Sequence, residues 1–194
     1  RRLGSVKLRC MGLPRTPHVE RRVEVPQGVT VKVEGMKVTV KGPKGEVRRD
    51  FSHVKGVIIR VEGNHVIVEA YMADSRAKAL VGTLAAHIKN MITGVTKGFR
   101  YRLKIISTHF PISVKVEKSR VIISNFLGEK APRYATIMPG VTVKVQGQDI
   151  VVEGTDIEAV GQTAANIERA THISEFDRRK FMDGIYIYAR EVIE

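Results

Sequence analysis

The sequence predicts an α+β protein built from two tandem duplicated domains, each a mainly antiparallel β-sheet packed against one α-helix. Three observations lead there. An internal repeat runs through the chain, short runs alternate apolar and polar residues, and one helically spaced apolar stripe closes each repeat. At 194 residues with 43% hydrophobic content, the chain is long enough to bury a core in each half.

The opening, "RRLGSVKLRCMGLPRTPHVERR", is basic and lacks an apolar core of signal-peptide length, so residues 1–22 read as a tail that orders on a partner. The first repeat is expected over 23–106 and the second over 107–194. "VTVKVEGMKVTVKGPKGE" from Val29 lies over "ISVKVEKSRVIISNFLGE" from Ile112 without a gap. "VIIRVEGNHVIVE" from Val57 lies over "VTVKVQGQDIVVE" from Val141, and "VGTLAAHI" from Val81 over "VGQTAANI" from Val160. In each repeat two alternating strands come first, 29–33 with 37–41 and 112–116 with 120–124, valines on one face and lysines on the other. A third and fourth strand turn at Gly63-Asn64 and at Gly147. Ala77, Leu80, Val81, Leu84, Ile88 and Met91 then predict a helix capped by Asp74 or Ser75 and stopped at Gly94. Its counterpart buries Ile157, Val160, Ala164 and Ile167 behind a Thr155/Glu158 capping box. Strands at 99–105 and 185–188 close the two copies, with a hinge near 107–111.

Thirty-three Lys and Arg against 20 Asp and Glu give a net charge of +13, which suits a polyanionic partner, nucleic acid ahead of an anionic membrane. No run of about 20 apolar residues offers a membrane span. The single cysteine, Cys10, points to a reducing compartment. Gly42-Pro43-Lys44-Gly45 resembles a phosphate cradle only superficially, because a strand-like run follows where a helix N-terminus is needed. The repeat keeps the turn and drops the lysine, so the segment reads as a hairpin. The six histidines show no ligand spacing; His87 reads as a surface or capping residue and His109 as a structural one. Asp149 and Glu153 read as surface strand positions. With no nucleophile, acid/base or metal constellation, neither an enzyme nor a cofactor is expected.

The cations cluster instead. "FDRRKFMDGIYIYAR" sets Arg178, Arg179 and Lys180 before Phe181, Gly184, Tyr186 and Tyr188: charges for phosphates, a glycine for close backbone approach, and aromatic faces. "GVTKGFRYRLK" supplies Lys97, Arg100, Arg102 and Lys104; "EKAPRYATIMPG" adds Lys130 and Arg133; Lys44, Arg48 and Arg49 form a basic loop in the first repeat.

"VKGPKGEVRRDF", "GVTKGFRYRL", "HFPISV", "NFLGEK" and "RRKFMDGIY" together resemble the large-subunit ribosomal protein family called L-six in bacteria and L-nine in eukaryotes, in its archaeal and eukaryotic form. The likeness runs from about Val23 to Tyr188. It implies a cytoplasmic, ribosome-bound protein that contacts large-subunit ribosomal RNA near the sarcin-ricin loop and stalk base, beside neighbouring ribosomal proteins and translation factors. Carried onto this chain, it places Arg178, Arg179, Lys180, Gly184 and Tyr186 on the RNA-facing segment, with Lys130 and Arg133 beside it. From the basic clusters themselves, Lys97, Arg100 and Lys44 are expected as further RNA contacts. Phe176 departs from the family's pattern of a basic residue, and the tail is longer than usual. The alternative is an extra-ribosomal RNA-binding or RNA-processing protein.

Overall fold

The computed structural model describes residues 16–173, 177 and 179–193. In chain order it has β1 (Thr16–Glu24), β2 (Thr30–Glu34), β3 (Lys37–Gly42), β4 (Gly45–Asp50), β5 (Ile58–Glu62), β6 (His65–Ala73) and α1 (Ser75–Thr96). The second half follows with β7 (Phe99–Ile106), β8 (Ser113–Val116), β9 (Arg120–Ser124), a 3-10 turn (Phe126–Gly128), β10 (Arg133–Thr136), β11 (Val141–Gln146), β12 (Asp149–Gly154), α2 (Ile157–Ala170) and β13 (Gly184–Val192). Every strand pair is antiparallel. Each half divides its strands between two sheets, β1-β6-β5 with β2-β3-β4 and β11-β12-β7-β13 with β10-β9-β8.

Period-two alternation explains the strands. In β3, Val38 and Val40 are buried while Lys37 and Lys41 face solvent. Gly42 pairs with Gly45 across the β3-β4 turn, so Gly42-Pro43-Lys44-Gly45 is a hairpin. Val81, Leu84, Ile88 and Val95 of α1 enter the first core, and Val160, Ala164 and Ile167 of α2 enter the second.

Four expectations are corrected. Residues 16–22 are not part of a tail: they belong to β1, which pairs with β6 from Thr16↔Ala73 to Glu24↔His65 and packs Val19 and Val23 against the first core. The strand at 99–106 does not close the first repeat. β7 lies between β12 and β13, and Phe99, Leu103 and Ile105 are buried in the second core, so the division between the halves falls just after α1 and not at 106/107. Gly94 does not stop α1. The helix runs to Thr96, and Gly98, with φ +83°, takes the left-handed conformation and donates its N–H to the Thr93 carbonyl at 3.2 Å. Asp156, not Thr155, caps α2, its carboxylate accepting the Glu158 N–H at 3.0 Å.

That capping shift frees the Glu158 side chain to cross between the halves, where it meets Arg49 at 2.6 Å and lies 3.8 Å from His87. His87 is half-buried against Phe51, at 6.1 Å between rings. Burial first and Arg49 second lower its pKa, against the pull of Glu158, so the imidazole is neutral at pH 7. Beside it Gly94 packs on the Thr155 carbonyl so closely that an added Cβ would fall 1.9 Å from that oxygen.

Candidate nucleic-acid interface

Three loops meet at one end of the second half: 107–112 between β7 and β8, the turn after β9, and the segment leading into β13. Asp183, only 1% exposed, ties the first to the third. Its carboxylate accepts the backbone N–H of Thr108, the His109 N–H at 3.2 Å, the Thr108 hydroxyl at 3.0 Å and His109 Nδ1 at 2.6 Å. His109 also packs on Phe181 at 4.7 Å between ring centres, so the structural reading of that histidine agrees with its geometry. The turn after β9 is joined on by Asn125 Nδ2, which donates to the Pro111 carbonyl at 3.0 Å, and by Gly128, whose Cα faces the Phe110 ring. Asn125 and Leu127 take positive φ of 60° and 50°, a local strain of the kind that the surrounding contacts hold in place.

Burial by itself raises the pKa of Asp183; the hydrogen bonds from His109 and Thr108 overcome it and hold the carboxyl down at about 2. A carboxyl depressed in this way contributes stability that is fully present above its unfolded value of 3.8 and is lost as pH falls through about 2. The size follows from the shift, roughly 2 kcal/mol. Urea denaturation of the protein and of Asp183→Asn across that window should show their stability difference shrinking as pH falls. A constant difference would mean that the carboxylate charge plays no part.

The loop end carries Arg179, Lys180 and Lys130, all exposed and with no ion pair among the described residues. Phe110 at 47% and Met182 at 58% exposure stand among them. Arg178 lies outside the described residues, as does Phe176. Arg133 is committed to the protein. Its guanidinium pairs with Glu129 at 2.5 and 2.9 Å, donates to the carbonyls of Ala170 and His172 at 3.0 and 3.1 Å, and lies 4.4 Å over the Phe126 ring. It closes the C-terminal end of α2 against the 3-10 turn and so shapes the loop end from behind. Gly184 is buried, and an added Cβ would stand 3.0 Å from the Tyr186 ring. That glycine makes room for the tyrosine instead of admitting a backbone from outside.

The remaining candidates lie elsewhere. Lys97 is the exposed C-cap of α1, and Lys44 donates its N–H to the Val95 carbonyl at 2.9 Å and its ammonium to the Lys97 carbonyl, closing the negative end of that helix. Arg100 pairs with Glu153 at 2.7 Å on the sheet face turned away from α2. β7 separates these residues from the loop end by roughly 25 Å at the rise of an extended strand. Sequence reasoning overlooked Asp183, Phe110 and Met182. Their neighbours in "HFPISV" and "RRKFMDGIY" were visible, but nothing local announces that the two segments meet.

His18, Glu20 and Glu69 come within 4.8 Å of one another, yet Arg22 pairs with Glu20 at 2.8 Å and Arg60 with Glu69 at 3.3 Å, so the acidic charge there is already matched. No helix among the described residues is long and apolar enough to cross a membrane. A duplicated sheet-and-helix scaffold with exposed cations and aromatic groups on loops braced from beneath defines a binding protein that presents a shaped basic surface. The chain belongs to the ribosomal protein L6 family, whose description matches it twice, over residues 25–98 and 110–184. Among its relatives, the large ribosomal subunit protein uL6 of Ignicoccus hospitalis is 69% identical over 175 residues, 88% of this chain and 94% of that protein. The protein of the same name from Aeropyrum pernix is 65% identical over 176 residues, 91% and 97% of the two chains. That from Desulfurococcus amylolyticus is 60% identical over 180 residues, 92% and 98%. This membership accords with the expectation of a structural, non-enzymatic protein, and the two matched regions with the internal duplication.

Proposed function

We propose that this chain is a structural constituent of the large ribosomal subunit that binds and positions ribosomal RNA near the elongation-factor binding region, by the sarcin-ricin loop and stalk base. The observation that carries the RNA contact is the loop end braced through Asp183, which gathers Arg179, Lys180 and Lys130 around exposed Phe110 and Met182. Cations there neutralise phosphates, and the apolar groups offer surfaces for unstacked bases, the usual means of recognising folded RNA. Arg178 is a further phosphate contact in this proposal, Lys97 makes a second contact at the junction of the halves, and Arg133, Arg100, Lys44, Gly184 and Tyr186 shape the surfaces around them. Neighbouring ribosomal proteins and translation factors are part of the same proposal.

Replacing Arg178, Arg179 and Lys180 together by alanine is expected to weaken binding to a large-subunit rRNA fragment and to flatten the salt dependence. Each lost phosphate contact removes roughly 0.7 to 0.9 from the slope of log K against log salt, so three remove about 2 to 3. Thermal stability should change little. An unaltered slope takes these cations off the RNA surface, and loss of the native protein from large subunits at modest salt would favour an extra-ribosomal role.

A further inference from the structure

His109 is held through one ring nitrogen. Nδ1 lies 2.6 Å from Asp183, whose carboxylate also accepts from the Thr108 and His109 backbone N–H groups and from the Thr108 hydroxyl. An ionised carboxylate can only accept, so Nδ1 carries the proton, and in the neutral ring the other nitrogen, Nε2, keeps a lone pair. Nε2 has no partner among the described residues, and the side chain is 41% exposed where that of Asp183 is 1% exposed. The ring is thus clamped at its buried edge and open at its outer one, with Phe181 packed on it at 4.7 Å between ring centres. Its own loop adds the Thr108 hydroxyl at 3.0 Å. The segment leading into β13 adds Asp183, with Lys180 and Arg179 exposed along it and Asp177 accepting the Arg179 N–H at 3.0 Å. The turn after β9 brings exposed Lys130, while its Glu129 is taken up by Arg133. Among the described residues, Asp183 is the one charged group in ion-pair contact with the ring.

We propose that His109 binds a phosphate of the RNA through Nε2 as an imidazolium, so that binding takes up a proton; the proposal rests on the RNA-binding reading above. A neutral Nε2 turns a lone pair toward a phosphate oxygen and repels it. The protonated ring donates to the phosphate at Nε2 while it donates to Asp183 at Nδ1, two charge-assisted hydrogen bonds from one side chain. An imidazole between two anions is favoured in its charged form, and here the second anion comes with the ligand. Lys180, Arg179 and Lys130 draw the same polyanion to this end of the protein.

The test titrates the full chain with the large-subunit rRNA fragment by calorimetry between about pH 6 and 8.5, in buffers of different ionisation heat. Lys, Arg, Asp and Glu side chains ordinarily keep their charge through that range, so proton uptake reports on histidine. An opposite charge in contact favours the charged form by about one pKa unit or more, so affinity should be about tenfold higher at the acid end, with uptake of up to about one proton per complex. The His109→Gln variant should bind at the acid end about as weakly as the parent does at the alkaline end, and should lose the proton uptake. Should that variant melt early, nitrogen NMR of the parent ring decides, because adding RNA at neutral pH should raise the protonated fraction of His109. Binding without proton uptake, uptake undiminished in His109→Gln, or a ring unchanged by RNA overturns the proposal and leaves the proposed function standing. Failure to bind the fragment at any pH overturns the RNA-binding reading, and this inference with it.

Discussion

In an Ile167→Asp variant, the second half of the protein should unfold while the first retains its helix and sheets. Ile167 has 0% exposure and sits on the stripe of α2 that faces the second core, next to Val160 and Ala164. The substitution removes a buried branched side chain, which costs about 2 to 5 kcal/mol, and buries a carboxylate within the apolar second core. Together these exceed about 5 kcal/mol, comparable with the whole stability of a small domain. Chemical denaturation followed by circular dichroism should lose the transition belonging to the second half. Arg169→Gln, on the exposed side of the same helical turn, should stay within about 0.5 kcal/mol of the parent. A cooperatively folded Ile167→Asp protein would show that the helix faces the sheet with another side.

The second large effect concerns the same substitution made twice on α1. At Gly94 an alanine Cβ would fall 1.9 Å from the Thr155 carbonyl oxygen. That oxygen cannot swing aside as a side chain does, because it belongs to the backbone between β12 and the Asp156 cap of α2. The helix must therefore back away from the second half, loosening the Arg49–Glu158 pair. We expect Gly94→Ala to cost about 3 kcal/mol, the upper end of overpacking penalties. Gly82 is exposed on the same helix with nothing near its Cα, so Gly82→Ala should stabilise by up to about 1 kcal/mol through helix propensity alone. Melting temperatures moving in opposite directions for the two variants would establish that Gly94 is a spacer between the halves. A stabilising effect at both positions would disprove the close seating.

The functional stake in that seating is the spacing of the two basic regions. Lys97 and Lys44 sit at the junction, and Arg179, Lys180 and Lys130 at the far end of β7. Under the proposed function, fixing RNA segments relative to one another requires those ends to be held at one distance, which a sheet with a closed junction would provide.

Local periodicity in the chain was enough to establish the duplicated architecture, the strand faces and the buried stripes of both helices, since these depend on residues two to four positions apart. Charge was legible for the same reason, as a property of composition. Pairing across long separations was not. Phe99 to Ile106 has the pattern of a strand wherever it packs, and only the register with β12 and β13 assigns it to the second half. Arg133 and Lys44 looked like free cations until the carbonyls ending α2 and α1 came beside them. Asp183 became the brace of the loop end only because His109, 74 residues earlier, lies 2.6 Å away. A side chain's chemistry is written in its own residue; whether that chemistry is spent inside the protein or offered to a partner is decided by neighbours that the folded chain alone brings together.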